Sequence, residues 1–192
     1  LRSGTGGGVT ALDLAQRLLA RFESLGELAR TGLGELCEVS GIGPAKAAEI
    51  LAALELGRRS QGPRIERGEK WASSERIHEA LAPRLASLDH EEFRLLLLDT
   101  RLRLIREVVV SKGDLTGSVV HPREVFKQAI RESAAAVIAV HNHPSGDPSP
   151  SFEDREITNQ LASAGEIVGI RLLDHIIIGA EGYVSFADQG WL

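Results

Sequence analysis

The chain has 192 residues, of which 43% are hydrophobic and 26% charged, and its formal net charge is −5. Its length and hydrophobic content allow a well-packed domain of about 120 residues plus a small module. No apolar run approaches the roughly 20 residues that a membrane-spanning helix needs, and no secretory signal is recognisable. The single cysteine, Cys37, excludes an internal disulfide and favours a reducing cytoplasmic location.

Helical patterns dominate residues 1–60, which we predict to form a small all-α domain. Thr10 is expected to cap a first helix whose inward face carries five apolar side chains. These are Leu12, Ala15, Leu18, Leu19 and Phe22. Shorter helices are expected near residues 25–29 and 33–37, and Pro44 suits the first position of a longer helix that ends near residue 58.

The turn before this last helix carries a pattern associated with nucleic-acid backbones. The sequence GIGPAK, residues 41–46, resembles the helix-hairpin-helix motif. Gly41 and Gly43 allow a tight turn, and the amides of the following helix can receive a phosphate, with the charge of Lys46 nearby. Residues 1–60 contain seven Lys/Arg and seven Asp/Glu, so no basic excess supports strong phosphate binding. The resemblance implies DNA contacts at Gly41, Gly43 and Lys46, and a purely structural hairpin is the alternative.

A charged and polar stretch broken by glycine and proline predicts a linker at residues 61–70. Residues 71–192 then alternate between strand and helix patterns, which predicts a mixed α/β domain whose sheet is flanked by helices. Helices are expected at 74–88, 122–132 and 151–167, and strands at 93–98, 102–110, 135–140, 171–179 and 182–186. The residues expected to face inward are Val125, Phe126, Ala129 and Ile130 in the second helix, and Ile157, Leu161, Ala164 and Ile167 in the third.

The most informative stretch, residues 141–154, follows the apolar strand in the middle of this domain. Side chains on a strand alternate between faces, so His141 and His143 point the same way and can share one metal ion. Ser151 and Asp154 form a Ser-x-x-Asp pattern at a helix start, where the helix N-terminus favours an ionised carboxylate. Two imidazoles and one carboxylate leave the fourth tetrahedral position for water, which is typical of a catalytic zinc site.

Each part of this pattern has an ordinary explanation. Ser151 and Asp154 fit a plain capping box, and a His-x-His pair at a strand end is often a surface feature. The conjunction of both parts with a Pro/Gly-rich turn favours the metal site. The two interpretations are compatible, because Ser151 can cap the helix while Asp154 coordinates the ion.

His-x-His followed after seven residues by Ser-x-x-Asp resembles the JAMM (MPN+) metalloprotease motif. The stretches His141–Asp147 and Asp174–Gly179 resemble the RadC family more closely, over nearly the whole chain. This resemblance implies a cytidine-deaminase-like JAMM/MPN architecture and zinc bound by the three ligands just named. Because the sequence begins with Leu1 and lacks methionine, and such relatives usually carry further helical sequence upstream, we expect an additional N-terminal segment in the full-length protein. His175 is left open between supporting the ligands and forming a structural pair with Asp174.

The resemblance also implies two roles besides metal binding. Ser151 would help to stabilise a developing oxyanion, and an upstream glutamate would act as the general base that activates water. The matching stretch is DHEEF, residues 89–93. We place the base at Glu92, because a Glu-Phe pair entering the strand fits the family pattern best, with Glu91 as the reserve choice. An ordinary solvated residue at a strand start is the alternative for Glu92.

These residues predict a zinc-dependent hydrolase, and a JAMM-type peptidase or isopeptidase is the function we expect. Two other functions stay open. A metal-dependent nuclease is suggested by the coupling of a hairpin motif to a metal site, although phosphate chemistry often uses two metals about 4 Å apart. A DNA-repair-associated binding protein would use the metal only to stabilise its fold.

Overall fold

The computed structural model describes residues 10–60, 66–71, 73–86, 88–113 and 120–192. Across these ranges, no helix combines the length and the apolar character that crossing a membrane requires. The chain divides into two units, Leu1–Gln61 and Gly62–Leu192, and each is described by itself.

The predicted linker is only partly described, since residues 61–65 lie outside the described ranges. The rest of it is attached to the second unit. Gly68 donates its backbone N–H to the Leu104 carbonyl at 2.8 Å, and Leu104 donates to the Glu69 carbonyl at 2.8 Å. Residues 66–70 are therefore fastened to the edge of a sheet.

The first unit is all-α. Its helices are α1 (Ala11–Arg21), α2 (Leu25–Arg30), α3 (Leu33–Cys37) and α4 (Pro44–Ser60). Thr10 caps α1 through a capping box with Asp13, as its sequence position predicts. The inward face of α1 was predicted wrongly at two positions, because Leu12 and Leu19 are 67% and 61% exposed while Leu14 is buried. The buried stripe is narrower than the predicted one and follows residues 14, 18 and 22, one helical turn apart.

The second unit contains a five-stranded sheet of order β2-β1-β3-β4-β5. The strands are β1 (Glu92–Leu98), β2 (Leu104–Lys112), β3 (Ala136–Asn142), β4 (Arg171–Ile178) and β5 (Tyr183–Ser185). Only β3 and β4 among these neighbours run parallel. The helices are α5 (Ser74–Leu85), α6 (Pro122–Arg131) and α7 (Phe152–Val168). The predicted mixed fold with a helix-flanked sheet is confirmed.

Both faces of the sheet are covered, which explains why β1 and β3 are buried at every position. Leu96 and Leu98 pack with α5 on one face, whereas Leu95 and Leu97 pack with α6 and α7 on the other. We call these the α5 face and the α7 face.

Two helix positions were predicted to face inward and do not. Ile130 in α6 is 58% exposed and Ile167 in α7 is 86% exposed. The buried line of α7 runs through Leu161 and Gly165 instead. A Cβ atom at Gly165 would lie 2.5 Å from the Ile170 carbonyl oxygen, so this glycine lets α7 approach the chain that leads into β4.

The register of the strands decides which residues meet at the end of β3. Phe93 near the start of β1 lies directly opposite His141 near the end of β3. Directly opposed residues in adjacent strands share a face, so both side chains lie on the α7 face. The start of β1 and the end of β3 therefore lie at the same end of the sheet, and the loop after β3 brings the first turn of α7 there too.

Candidate metal centre

Three side chains from the predicted motif converge at this end of the sheet, where β3 finishes. Nε2 of His141 lies 3.0 Å from Nε2 of His143 and 3.1 Å from Oδ1 of Asp154. Nε2 of His143 lies 3.3 Å from Oδ2 of Asp154. One ligand atom from each residue falls within 4.8 Å of the others, so this cluster could hold a metal ion.

The donor atoms fit a tetrahedral ion. Ligand bonds of about 2.0–2.1 Å place neighbouring ligand atoms about 3.3 Å apart. The two imidazole nitrogens lie 3.0 Å apart, and each lies at a similar distance, 3.1 Å or 3.3 Å, from a different oxygen of the Asp154 carboxylate. Oδ1 of Asp154 is fully buried and accepts no hydrogen bond from any part of the chain that the structure describes. A buried carboxylate oxygen without a partner is costly, and a cation at this point would satisfy it.

The charge state of the carboxylate suits coordination. Burial alone would raise the pKa of Asp154, but its contacts with His141 and His143 outweigh burial and hold the pKa far below the usual range. The same contact with Asp154 raises the pKa of His143, against the opposing effect of burial. The carboxylate is therefore ionised at neutral pH, as a metal ligand must be.

The loop after β3 orients His143. Its Nδ1 lies 2.8 Å from the backbone carbonyl of Asp147. A carbonyl can only accept, so Nδ1 carries a proton, and in the neutral ring Nε2 is then the nitrogen whose lone pair faces the cluster. The loop is itself held down, because the Gly146 carbonyl accepts a hydrogen bond from the backbone N–H of Ala180 at 2.8 Å.

His141 is supported by two residues that sequence reasoning did not assign. Its Nδ1 lies 2.8 Å from Nε2 of His175, whose Nδ1 lies 2.6 Å from Oγ1 of Thr158. His175 is fully buried, and burial lowers its pKa well below the ordinary histidine value. Thr158 was missed, although it lies four residues after Asp154 and so on the same face of α7.

The hydrogen bonds of the Asp174 carboxylate go to groups other than the His175 ring. This carboxylate accepts hydrogen bonds from the Ser185 hydroxyl at 2.6 Å, from the backbone N–H of Ala187 at 3.0 Å and from that of His175 at 2.7 Å. Of the two readings left open for this pair, the structural one describes Asp174, while the His175 ring lies beside a candidate ligand.

Ser151 lies next to the cluster and caps α7. Its Oγ accepts a hydrogen bond from the backbone N–H of Asp154 at 3.0 Å and donates to Oδ2 of Asp154 at 2.6 Å. Capping and proximity to the ligand thus occur together, as the sequence analysis allowed.

Glu92 points to the opposite face of the sheet from the cluster, which argues against its predicted role as the base. Phe93 shares the α7 face with His141, and their ring centroids lie 5.9 Å apart. Adjacent strand residues alternate, so Glu92 points to the α5 face. There it is buried and paired with Arg94 and with Nζ of Lys112 at 2.9 Å. These contacts engage the Glu92 carboxylate on the face of the sheet opposite to His141.

The surroundings of Glu92 are those of a structural ion-pair network. Burial alone would raise its pKa, but hydrogen bonds from Lys112 and Arg94 lower the pKa to about 2. Arg94 also pairs with Glu107, which receives two hydrogen bonds from Arg84 at 3.0 Å each. The network joins α5, β1 and β2.

Glu91, the reserve choice for the base, lies one residue before Glu92 and is expected on the opposite face of the sheet. It directly precedes β1, two residues before Phe93, and its carbonyl accepts a hydrogen bond from the backbone N–H of Gly113 at 2.9 Å. After Asp154, the charge of Glu91 also contributes to the raised pKa of His143. Strand alternation continued by one residue and this effect on His143 together predict that the Glu91 carboxylate lies on the α7 face with the ligands.

Comparison with known proteins agrees with this geometry. Residues 71–191 match the family model described as the RadC-like JAB domain, and residues 1–48 match the one described as UPF0758 N-terminal. The chain belongs to the RadC (UPF0758) family. UPF0758 proteins of Syntrophotalea carbinolica and Trichlorobacter lovleyi are 51% and 52% identical to it, over all of this chain and 85% and 84% of their own lengths. The one from Desulforudis audaxviator is 50% identical over 99% of this chain and 82% of its own length.

In the UPF0758 N-terminal region, the predicted hairpin has a structural explanation at two of its three residues. Gly41 has a φ of +95°, and a Cβ atom there would lie 2.7 Å from Cδ2 of Leu14. Nζ of Lys46 donates to the Gly41 carbonyl at 3.0 Å. A Cβ atom at Gly43 would meet nothing within 4 Å. DNA contact through Gly41, Gly43 and Lys46 stays a prediction.

In the RadC-like domain, Gly179→Ala is expected to disturb the loop that orients His143. A Cβ atom there would lie 2.2 Å from the Gly146 carbonyl oxygen and 2.9 Å from the Pro148 nitrogen, so backbone must move. We expect a loss of stability of about 1–3 kcal/mol and weaker metal binding, measured by denaturant unfolding and metal titration. Gly57→Ala in α4, where a Cβ atom meets nothing within 4 Å, is the control and should leave both unchanged or slightly raise stability. Equal behaviour of the two variants would contradict the prediction.

Proposed function

We propose that this protein is a zinc-dependent hydrolase that cleaves the amide bond of a peptide or isopeptide substrate. The observation that carries the proposal is the convergence of His141, His143 and Asp154, with one buried carboxylate oxygen left without a hydrogen bond in the described structure. Two imidazole nitrogens and one carboxylate oxygen form a donor set that suits catalytic zinc. Membership of a JAB-domain family supports the same class of chemistry.

The chain's own residues divide the remaining work. His141, His143 and Asp154 would hold the ion, which when bound lowers the pKa of water and polarises a carbonyl. The carboxylate of Glu91 would take the proton of the attacking water and pass it to the leaving amine. The Ser151 hydroxyl would donate a hydrogen bond to the oxygen that becomes negatively charged.

Glu91 replaces Glu92 in this proposal because of its backbone support as well as its face. Asn142, which lies between the two histidine ligands, is fully buried. Its Nδ2 donates to the His90 carbonyl at 3.0 Å, and its Oδ1 accepts from the backbone N–H of Glu92 at 2.9 Å. The amide thus holds the backbone on both sides of Glu91, which limits the positions that its carboxylate can reach.

Nuclease activity is the less favoured alternative. Phosphate chemistry often uses two metal ions about 4 Å apart, whereas the described residues contain one cluster of three potential ligands. A purely structural role for the metal would require a fourth protein ligand to close the site. Association with DNA through the first unit is compatible with amide hydrolysis in the second, and it stays a prediction.

The proposal is tested with zinc-loaded protein incubated in parallel with a peptide library, isopeptide-linked conjugates and labelled single- and double-stranded DNA. We expect cleavage of an amide substrate that stops on removal of zinc by a chelator and returns when zinc is restored. Zinc-dependent cleavage of DNA would favour the nuclease instead. A fully zinc-occupied protein that cleaves none of these substrates would contradict the proposal.

A further inference from the structure

We propose that Thr158 and His175 form a directional hydrogen-bond relay that holds His141 in its metal-binding tautomer and ties it to the backbone of Asp154. This inference rests on the proposed metal site, but it does not depend on which bond the protein cleaves. Neither relay residue is a ligand, so both are positioning residues. The relay joins β3, β4 and α7 behind the metal cluster.

The direction of the hydrogen bonds in the relay is set at Thr158, the end farthest from His141 along the relay. Oγ1 of Thr158 lies 2.5 Å from the backbone carbonyl of Asp154. A carbonyl oxygen only accepts, so the threonine hydroxyl donates its single proton there. The same Oγ1 must then accept in its contact with His175, 2.6 Å away. Nδ1 of His175 therefore carries the ring proton.

The next steps follow from the chemistry of a neutral imidazole, which has one donor and one acceptor nitrogen. With Nδ1 protonated, Nε2 of His175 is an acceptor. Nδ1 of His141, 2.8 Å away, must therefore donate to it. Nε2 of His141 is left with a free lone pair, and this is the atom that faces His143 and Asp154.

The setting keeps the relay neutral and in place. Both Thr158 and His175 are buried, so an additional proton on His175 would place a charge in a dry interior. The His175 ring is stacked on Phe186 with centroids 5.1 Å apart and lies against Phe93 at 5.4 Å. These rings restrict the rotation of the imidazole, so the orientation of its two nitrogens is maintained by packing as well as by hydrogen bonds.

Backbone register explains why these residues meet. His175 in β4 lies opposite Ala139 in β3, two residues before His141, so both imidazoles lie on the α7 face. Thr158 follows Asp154 by one turn of α7 and so points to the same side. The relay ends at the backbone of Asp154, which is itself a candidate ligand, so it links two ligands through hydrogen bonds that do not involve the metal.

The test compares Thr158→Val, which removes the hydroxyl at constant shape, with Thr158→Ser, which keeps it. In the valine variant, Nδ1–H of His175 loses its acceptor. The proton is then expected to move to Nε2 of His175, which drives the proton of His141 to its own Nε2 and removes the metal-binding lone pair. We expect zinc affinity to fall by about 10-fold to 100-fold in the valine variant and to stay near the wild-type value in the serine variant.

Two readouts keep the inference separate from the proposed function. Zinc affinity is measured by competition with a chromophoric chelator, and the tautomers of His141 and His175 are read from ¹⁵N NMR of the metal-free protein. Wild-type protein protonated at Nδ1 of both rings supports the relay, even if no substrate is ever cleaved. Wild-type protein in which Nε2 of His141 carries a proton and Nδ1 does not overturns it, as does unchanged zinc affinity in a folded valine variant. If wild-type protein shows the expected tautomers of His141 and His175 but hydrolyses no amide substrate, the result counts against the proposed function alone.

Discussion

Glu91→Gln is expected to lower turnover by about 100-fold to 10,000-fold while zinc stays bound, because the amide cannot accept the proton of the attacking water. We infer that this carboxylate lies on the α7 face with the ligands, and Asn142 fixes the backbone on both sides of Glu91. The measurement is turnover of the amide substrate, with zinc content by elemental analysis on the same preparation. Retained turnover at full zinc occupancy would remove Glu91 from the mechanism.

Glu92→Gln is the matched control, and its expected result is the reverse. Turnover should be retained, while stability falls by about 1–3 kcal/mol because Arg94 and Lys112 lose a buried partner. The pKa of Glu92 is lowered to about 2, so its contribution to stability is present above the ordinary value of 4.5 and is lost as the pH falls through about 2. The stability difference between wild type and variant should therefore narrow in acid.

His141→Ala is expected to abolish zinc binding and hydrolysis together. The imidazole supplies one of three ligand atoms, and its loss also removes the hydrogen-bond partner of His175 in the relay from Thr158. Zinc stoichiometry by elemental analysis should fall to background. Zinc added at 100 times its dissociation constant should stabilise the wild type by about 2.7 kcal/mol and so raise its melting temperature. The same addition should not stabilise the variant.

The control for this experiment is His78→Phe. His78 belongs to the same unit, and its ring is stacked on Tyr183 with centroids 4.6 Å apart, a contact that phenylalanine can keep. We expect normal zinc content and hydrolysis. Unchanged zinc stoichiometry in folded His141→Ala would show that the metal site has been placed wrongly.

The metal cluster could be predicted because its geometry is local. His141 and His143 share a face by strand alternation, and Asp154 lies in the first turn of a helix opened by Ser151. The family and the mixed fold could be predicted from the same stretch and from the alternation of strand and helix patterns. The ends of most elements fell within three residues of the predicted positions, since caps and turn residues mark them.

The inward faces of the helices were harder to predict. Leu12, Leu19, Ile130 and Ile167 are apolar and occur at helical spacing, yet they are exposed. Spacing defines which residues lie on a common stripe, but not how wide a stripe the neighbouring elements cover. At α7 the buried line is decided by close approach to the chain before β4, which only a glycine at position 165 permits.

The amino-acid sequence alone determined the three candidate ligands, the capping serine and the family, because those depend on residues close together in the chain. Tertiary structure alone supplied the reason to propose Glu91 rather than Glu92 as the base, and it brought Thr158 and His175 behind His141. The reason is that a shift of one residue along a strand moves a side chain to the other face of the sheet. Only the pairing of β1 with β3 shows which face carries the ligands.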